Sequence, residues 1–442
     1  MIRLQPPGFH LIIRSYILPI LLIGAILSEI NLTLIEGDCP VRISAGDMVI
    51  LTAVFGYMAC SWKGLKEIVC ENITPVAIGL AFILISLTTS CINNEYLLVS
   101  IKFCVKICIL FFLLVLIYQH SYVSRGTLTL VLAIMMVINI IGILEYFYYD
   151  RMLNFLLFFR SQESLAPYQL MRVSSVFPNT NTFSVFNAIF IVSTLSIILQ
   201  HGRLVNRYLF SITLLLCIVG LILSTSRNGI LTIVTGTALL AVSLVRSRKS
   251  KWKVCAITAC TLAILVAAFS AYKPIPLAKR FSNLVSLAPE VVSGQPFEIK
   301  EMIATLRLEQ RLTIWQNGWE LFLEKPVFGI GASQFITRNN HPGGRTIHMH
   351  NIFGDILVNH GIVGFALFIA LVTIWFKKAK SDWQVFLIIT LFVSHMFDCF
   401  TLYNTIWLIF TPWLVALTTR KPEEILLQDV AAQPDKRAVT VK

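Results

Sequence analysis

The stretch His350–Phe376, HNIFGDILVNHGIVGFALFIALVTIWF, decides how this chain is read. A polar pair, His350-Asn351, opens a long apolar segment over 352–376, with Gly361-Ile-Val-Gly364 inside it. Such a segment has the length of a bilayer-spanning helix, roughly 17–25 residues. An imidazole therefore stands at the mouth of a membrane helix, where an ionisable group is costly unless it is used. On a continuous helix His350, Gly354, Gly361 and Gly364 share broadly one face. Small residues there would let a neighbouring helix approach closely. His350 suits a general base, since imidazole titrates near neutral pH; the alternative is a capping histidine above a packing seam. His348 lies two residues earlier, but the pair has no third or fourth ligand nearby, so no metal site is expected.

The same pattern recurs along the chain. With 442 residues, 56% hydrophobic and only 13% charged, and a mean hydropathy of +0.77, a soluble domain is excluded. About twelve spans are expected on length grounds. They lie near 15–35, 43–62, 74–91, 96–118, 127–148, 183–200, 207–224, 229–246, 254–272, 352–376, 384–398 and 401–418. The fold class is thus an all-α polytopic membrane protein. The start, Arg3 and Arg14 before a long apolar run, reads as a first membrane helix rather than a removed signal.

Basic residues alternate cleanly between the two sides. Arg3, Arg14, Lys63, Lys66, Arg125, Arg203, Arg207, the cluster Arg246/Arg248/Lys249/Lys251/Lys253, Lys377/Lys378/Lys380 and Arg420/Lys421 share one side. That side is expected to be cytoplasmic, with both termini. The +13 net charge is then a topology signal; no aromatic-basic interleaving suggests nucleic acid. The expected organisation is nine spans over 1–272, a periplasmic loop over 273–351, three more spans over 352–418, and a polar cytoplasmic tail over 419–442. The ten cysteines form no framework, and most fall inside spans as small packing residues.

The outer side collects the residues that suggest chemistry. A loop as long as 273–351 is generally functional or disordered, and its apolar content argues against disorder. Within it, Ile299, Ile303, Leu306, Trp315, Trp319 and Phe322 recur at helical spacing over about 297–324, a helix suited to lying on the membrane surface among lipids. Pro326 and Gly329 stop it. Arg311 lies one turn before Trp315, on a face that is either functional or simply solvated. Arg227 sits in the turn Ser224-Thr-Ser-Arg-Asn-Gly229; its planar fork suits phosphate oxygens, unless it snorkels to headgroups. Arg172 precedes a span in a loop rich in turn formers, either gripping an anion or packing on the membrane face. Lys102 and Lys106, one turn apart inside the fourth span, either face the site or pair with Asp47 or Glu29, because unpaired ammonium groups in hydrocarbon are costly.

Absences narrow the field. There is no phosphate-binding glycine loop with Lys-Ser/Thr for ATP-driven transport, and no Asp-x-Asp pair to hold a metal on a sugar nucleotide. A glycosyl donor would be lipid-linked. A transporter or flippase would place binding groups near the midplane between internal repeats; here cations and histidines gather at the outer face and no repeat is visible.

Three elements together resemble the O-antigen ligase and Wzy-type polymerase superfamily of the bacterial inner membrane. The turn at 224–229 is similar to its S-x-S-R element. Arg311…Trp315…Pro326-Val-Phe-Gly-Ile-Gly331 looks like its R…W…P-x-x-G-x-G run. His350-Asn351 followed after nine residues by Gly361-Ile-Val-Gly364 fits its H-[NSQ]-x9-G-x-x-G pattern. The elements cover about residues 220–365, and Arg172 with Pro178-Asn179 weakly matches an earlier R…P-N element.

The resemblance implies a glycosyltransferase of the GT-C type that needs no metal and no cofactor. Its donor would be an undecaprenyl-diphosphate-linked glycan in the periplasmic leaflet. Its acceptor would be lipid A-core for a ligase, a second lipid-linked glycan for a polymerase, or a serine or threonine for a protein O-oligosaccharyltransferase. By the same resemblance Arg227 and Arg311 would bind the diphosphate and His350 would activate the acceptor hydroxyl, with Arg172, His348, Asn351 and Lys102 as further substrate contacts.

Overall fold

The computed structural model describes residues 31–35, 41–60, 66, 69–70, 72–93, 97–107, 125–159, 173–177, 179–201, 206–246, 309–338, 349–378 and 382–396. Spans expected near 254–272 and 401–418, most of 15–35, the end of 96–118, the surface helix before residue 309 and the 419–442 tail lie outside the described residues.

The regular elements among the described residues are helices and one hairpin. Strand β1 (Asn31–Ile35) pairs antiparallel with β2 (Val41–Ser44), Asn31 opposite Ser44 and Thr33 opposite Arg42. This corrects the placement of 31–35 at the end of a first span, while the described elements are otherwise helical, as the expected fold class requires. Hydropathy counts Leu, Ile and Val equally in either state, whereas β-branched residues on both sides of a Gly/Asp/Pro segment favour a hairpin. Helix α1 (Ala45–Cys60) follows at once.

Further helices are α2 (Ile73–Asn93), α3 (Arg125–Phe159), α4 (Thr180–His201), α5 (Arg207–Ser224) and α6 (Arg227–Arg246). After them come α7 (Glu309–Glu324), the short α8 (Gln334–Arg338), α9 (Ile352–Lys378) and α10 (Asp382–His395). Residues 97–107 are also helical. Four helices among the described residues are long and apolar enough to cross a membrane, which makes the chain a polytopic membrane protein.

Two expected spans have altered geometry. Helix α3 breaks at Tyr148 (φ −131°, ψ 37°), where the expected span ends, and continues as a helix to Phe159. Helix α9 breaks at Gly361 (φ 64°, ψ −170°). Beyond the break the chain folds back: the Phe353 ring lies 6.4 Å from Phe365 and 6.2 Å from Phe368. A straight helix would hold those pairs about 18 and 22 Å apart along its axis. The single span expected over 352–376 is therefore corrected to a short half-helix, 352–360, and a longer segment after Gly361. At about 13 Å the first piece is too short to cross a core of about 30 Å.

Several hydroxyls inside the apolar helices are satisfied within their own helix. The hydroxyls of Ser86, Ser90, Thr89 and Ser193 donate to the carbonyls of Phe82, Ser86, Ile85 and Ile189, the i−4 bond open to short side chains in a helix. Between helices, Asn139 of α3 donates to Asn187 of α4 at 3.0 Å, and Gly220 of α5 has no room for a Cβ beside this pair. Lys106 pairs with Asp47 of α1 at 3.4 Å, the structural alternative anticipated for these intramembrane lysines.

Candidate functional site

The first site element is the reversal between α5 and α6. Two residues, Thr225 and Ser226, separate the helices. Thr225 takes a left-handed conformation (φ 51°) and donates its N–H to Ile222 O at 3.1 Å, closing α5. Ser226 O accepts from Ile230 N at 3.3 Å, starting α6. Arg227 is thereby the first residue of α6, at the end where helix N–H groups favour anions. Its neighbours tie three other segments to this turn. Ser226 Oγ donates to Asn181 Oδ1 at 2.9 Å, and Asn228 Nδ2 donates to Ser394 O at 3.1 Å. Val173 N donates to Leu223 O at 3.3 Å. Gly229 is required because a Cβ would overlap Ser184 of α4.

Arg172 and His348 lie outside the described residues. Val173–Phe177, which follows Arg172, is buried. Its placement comes from Glu145 of α3, whose carboxylate accepts from Ser174 N at 3.1 Å and Ser175 N at 2.7 Å. Sequence reading passed over Glu145, although an acidic residue deep in an apolar run is itself a signal.

The second element is built around the break in α9. His350 sits before the helix, not on it, with φ 51°. The shared helical face of His350, Gly354, Gly361 and Gly364 is thus replaced by separate tasks. Asn351 caps the half-helix: its Oδ1 accepts from Phe353 N at 2.9 Å and Gly354 N at 3.1 Å, the usual job of Asn at that position. A Cβ at Gly354 would press on Met349, and one at Gly364 would overlap His360. At Gly361 a Cβ would overlap the Val327 carbonyl and the Gly329 amide.

These glycines belong to one construction. The segment Pro326–Gly331 lies across the break and satisfies both exposed helix ends. Ile330 N and Gly331 N donate to Val358 O (3.1 Å) and Asn359 O (3.0 Å), closing the half-helix. Ile362 N and Val363 N donate to Pro326 O (2.9 Å) and Val327 O (3.1 Å), opening the second segment. A helix interrupted inside a membrane protein needs partners of this kind for its freed backbone groups. Gly329 at φ 75° and Gly331 at φ 115° let the backbone follow this path. The P-x-x-G-x-G run and the distant G-x-x-G therefore form one unit, which sequence reading had kept apart.

The segment is anchored from the other side as well. Asn93 of α2 donates to Ile330 O (2.7 Å) and accepts from Lys325. Ala332 N donates to Ser90 Oγ at 2.9 Å, and Ser100 Oγ donates to Ala332 O at 2.7 Å. His360, buried and unremarked in the sequence, bonds Ser86 Oγ through Nδ1 at 2.9 Å and stacks on Phe103 at 5.6 Å. Lys102, half-buried, adjoins Phe103 on the same helical stretch.

Arg311 lies in the first turn of α7 and is half-buried. Trp315, one turn later, donates Nε1 to Met349 O at 2.9 Å, so the helix bearing Arg311 touches the residue before His350. Ile314 and Phe322 pack with Phe335 and Met349. Trp319 (55% exposed) and Leu323 of α7, and Val327 and Phe328 just beyond it, stay open, an exposure of apolar side chains that suits a membrane surface.

The two elements meet through α10. Phe392 stacks on Phe353, three residues after His350, at 6.1 Å; Ser394, two residues on, accepts from Asn228 beside Arg227. The segments that carry Arg227, Arg311 and His350 are thus linked by a chain of contacts through α10 and Met349. His395, buried at the end of α10, holds Leu391 O at 2.6 Å through Nδ1 and is a further titratable group that the sequence reading missed.

Residues 212–369 match the family model described as O-Antigen ligase. A comparison with curated proteins gives no match. The matched region contains the turn at 224–229, α7, the Pro326–Gly331 segment and both halves of the break.

Proposed function

We propose, from the match of residues 212–369 to the family model described as O-Antigen ligase, that the chain transfers a glycan from undecaprenyl diphosphate to an acceptor hydroxyl at the periplasmic face of the bacterial inner membrane. The acceptor in this reading is lipid A-core, which makes the protein an O-antigen ligase. The polymerase, which would use a second lipid-linked glycan, is its alternative within the same chemistry. Both termini are cytoplasmic, 273–351 is the periplasmic loop, and the catalyst is of the metal-independent GT-C type.

The observation that carries this reading is the Trp315–Met349 hydrogen bond, which sets the helix bearing Arg311 against the loop bearing His350. The acceptor oxygen attacks the anomeric carbon while the bond from that carbon to the diphosphate oxygen breaks. His350 takes the hydroxyl proton, and the diphosphate leaves with the electron pair. Negative charge on the leaving group rises at that moment. Fixed guanidinium groups at Arg227 and Arg311 offset it by several kcal/mol, and a positioned base adds about 10²–10⁴-fold. Attack opposite the leaving group inverts the anomeric centre. Arg172, His348 and Lys102 are assigned to substrate binding, and Asn351 to holding the His350 loop.

Membranes carrying the protein or its His350→Ala variant, supplied with labelled lipid-linked glycan, test the proposal. Transfer disappears in the variant at equal protein levels, while donor translocation persists. Unchanged transfer would remove His350 from the role of base. Supplying lipid A-core or a second lipid-linked glycan separately tells ligase from polymerase.

A further inference from the structure

Among the polar side chains of the break, Asn359 differs from the rest because it bonds in three directions at once. It is fully buried and lies on the last turn of the half-helix. Its Oδ1 accepts from Phe335 N at 3.0 Å. Its Nδ2 donates to Asp355 O at 2.9 Å and Asp355 Oδ2 at 3.2 Å. Its own carbonyl accepts from Gly331 N at 3.0 Å. Asp355, one turn earlier, is also buried, and its N–H donates to Asn351 O at 2.9 Å. Asn351, Asp355 and Asn359 form one file along the half-helix, with His350 directly before it.

The other side of Asn359 leads to Arg311. Phe335 and Gly331 continue the chain that runs back through Pro326 to α7. One amide thus joins the arm that carries Arg311 to the half-helix that follows His350. We propose that Asn359 is a positioning residue that sets the distance between the Arg311 arm and the His350 loop through Asp355 and Phe335. This inference rests on the roles proposed above for Arg311 and His350. The geometry demands an amide at this position: the oxygen meets an N–H, and the nitrogen meets a carbonyl and a carboxylate. An aspartate of equal size would keep the first bond and turn the second into a contact of two acceptors.

The test exchanges the two groups. Asn359→Asp, Asp355→Asn and the double variant are compared with the wild-type chain in membranes, with transfer from lipid-linked glycan measured against donor concentration. Asn359→Asp lowers kcat about 30-fold with donor KM little changed, Asp355→Asn changes kcat less than about threefold, and the double variant recovers to within about tenfold of wild type. A residue needed only for folding would give no such recovery. Wild-type kcat in Asn359→Asp, a rise in KM alone, or a double variant no better than Asn359→Asp overturns the proposal.

A second readout needs no activity. Cysteines introduced by Trp315→Cys and Met349→Cys are joined by a short bismaleimide in the otherwise wild-type chain. Joining slows in the Asn359→Asp background and returns in the double variant; equal rates in all three overturn the clamp. If wild-type membranes transfer nothing while cross-linking follows this order, the transferase reading falls and the clamp stands.

Discussion

Two reversals among the described residues of the matched region are built on opposite principles. At Ser224–Asn228 the reversal is local: Thr225 closes one helix on Ile222, Ser226 opens the next with Ile230, and side chains merely attach neighbours. At Gly361 the reversal is completed from elsewhere, by the backbone of Pro326–Gly331. A self-contained turn tolerates changes in its surroundings. A break whose four freed backbone groups depend on a segment some thirty residues away does not. The first arrangement suits a fixed cation. The second couples two arms, so that the position of Arg311 and that of His350 are set together.

That contrast can be broken at its strongest point. Gly361→Ala places a side chain in a conformation that only glycine adopts readily, which costs about 1–3 kcal/mol before any overlap is counted. The overlap with Val327 and Gly329 comes on top. The variant is expected to lose transfer entirely and to be degraded in membranes; normal abundance by immunoblot would show that the break does not depend on this glycine. Next in size is Arg227→Lys, which keeps charge but loses the planar fork. Turnover should fall on the order of 10²-fold with normal abundance, and near wild-type rates would reduce the arginine to an anchor of the turn.

Smaller effects sharpen the comparison. Gly229→Ala pushes α6 from α4 because the new methyl meets Ser184. It should lower the detergent melting temperature, with partial recovery when Ser184→Ala is added. No recovery would place the strain elsewhere. Trp315→Phe removes the bond to Met349 O while keeping most of the ring. Net loss of about 1 kcal/mol is expected for one such bond, read as a several-fold fall in turnover with little change in melting. Asp47→Asn removes the charge facing Lys106 and should leave turnover intact while lowering thermal stability.

Much of the bundle was legible beforehand because hydropathy is a local, additive property. The spans expected near 183–200, 207–224 and 229–246 appear as α4, α5 and α6 with ends shifted by a few residues. The motif around Arg227 was legible for the same reason, since its turn is made of adjacent residues. The later part of the helix expected over about 297–324 was visible from its periodicity and appears as α7, with Trp319 and Leu323 exposed. Less legible was the hairpin at 31–44, where apolar β-branched residues mimic a span. Hidden altogether was the break in α9, because an apolar run gives no sign that it folds back.

What the sequence alone determined is therefore the list of apolar segments, the position of each basic loop between them, and the order of three polar motifs. Only the tertiary structure decided how those motifs combine: that Pro326–Gly331 completes the helix broken at Gly361, that Glu145 holds Ser174 and Ser175, and that Asn359 joins two arms. The reason is physical. Burial of apolar surface adds up residue by residue along the chain, whereas a buried donor or acceptor must find one particular partner, and that partner is chosen in space, at any distance in sequence.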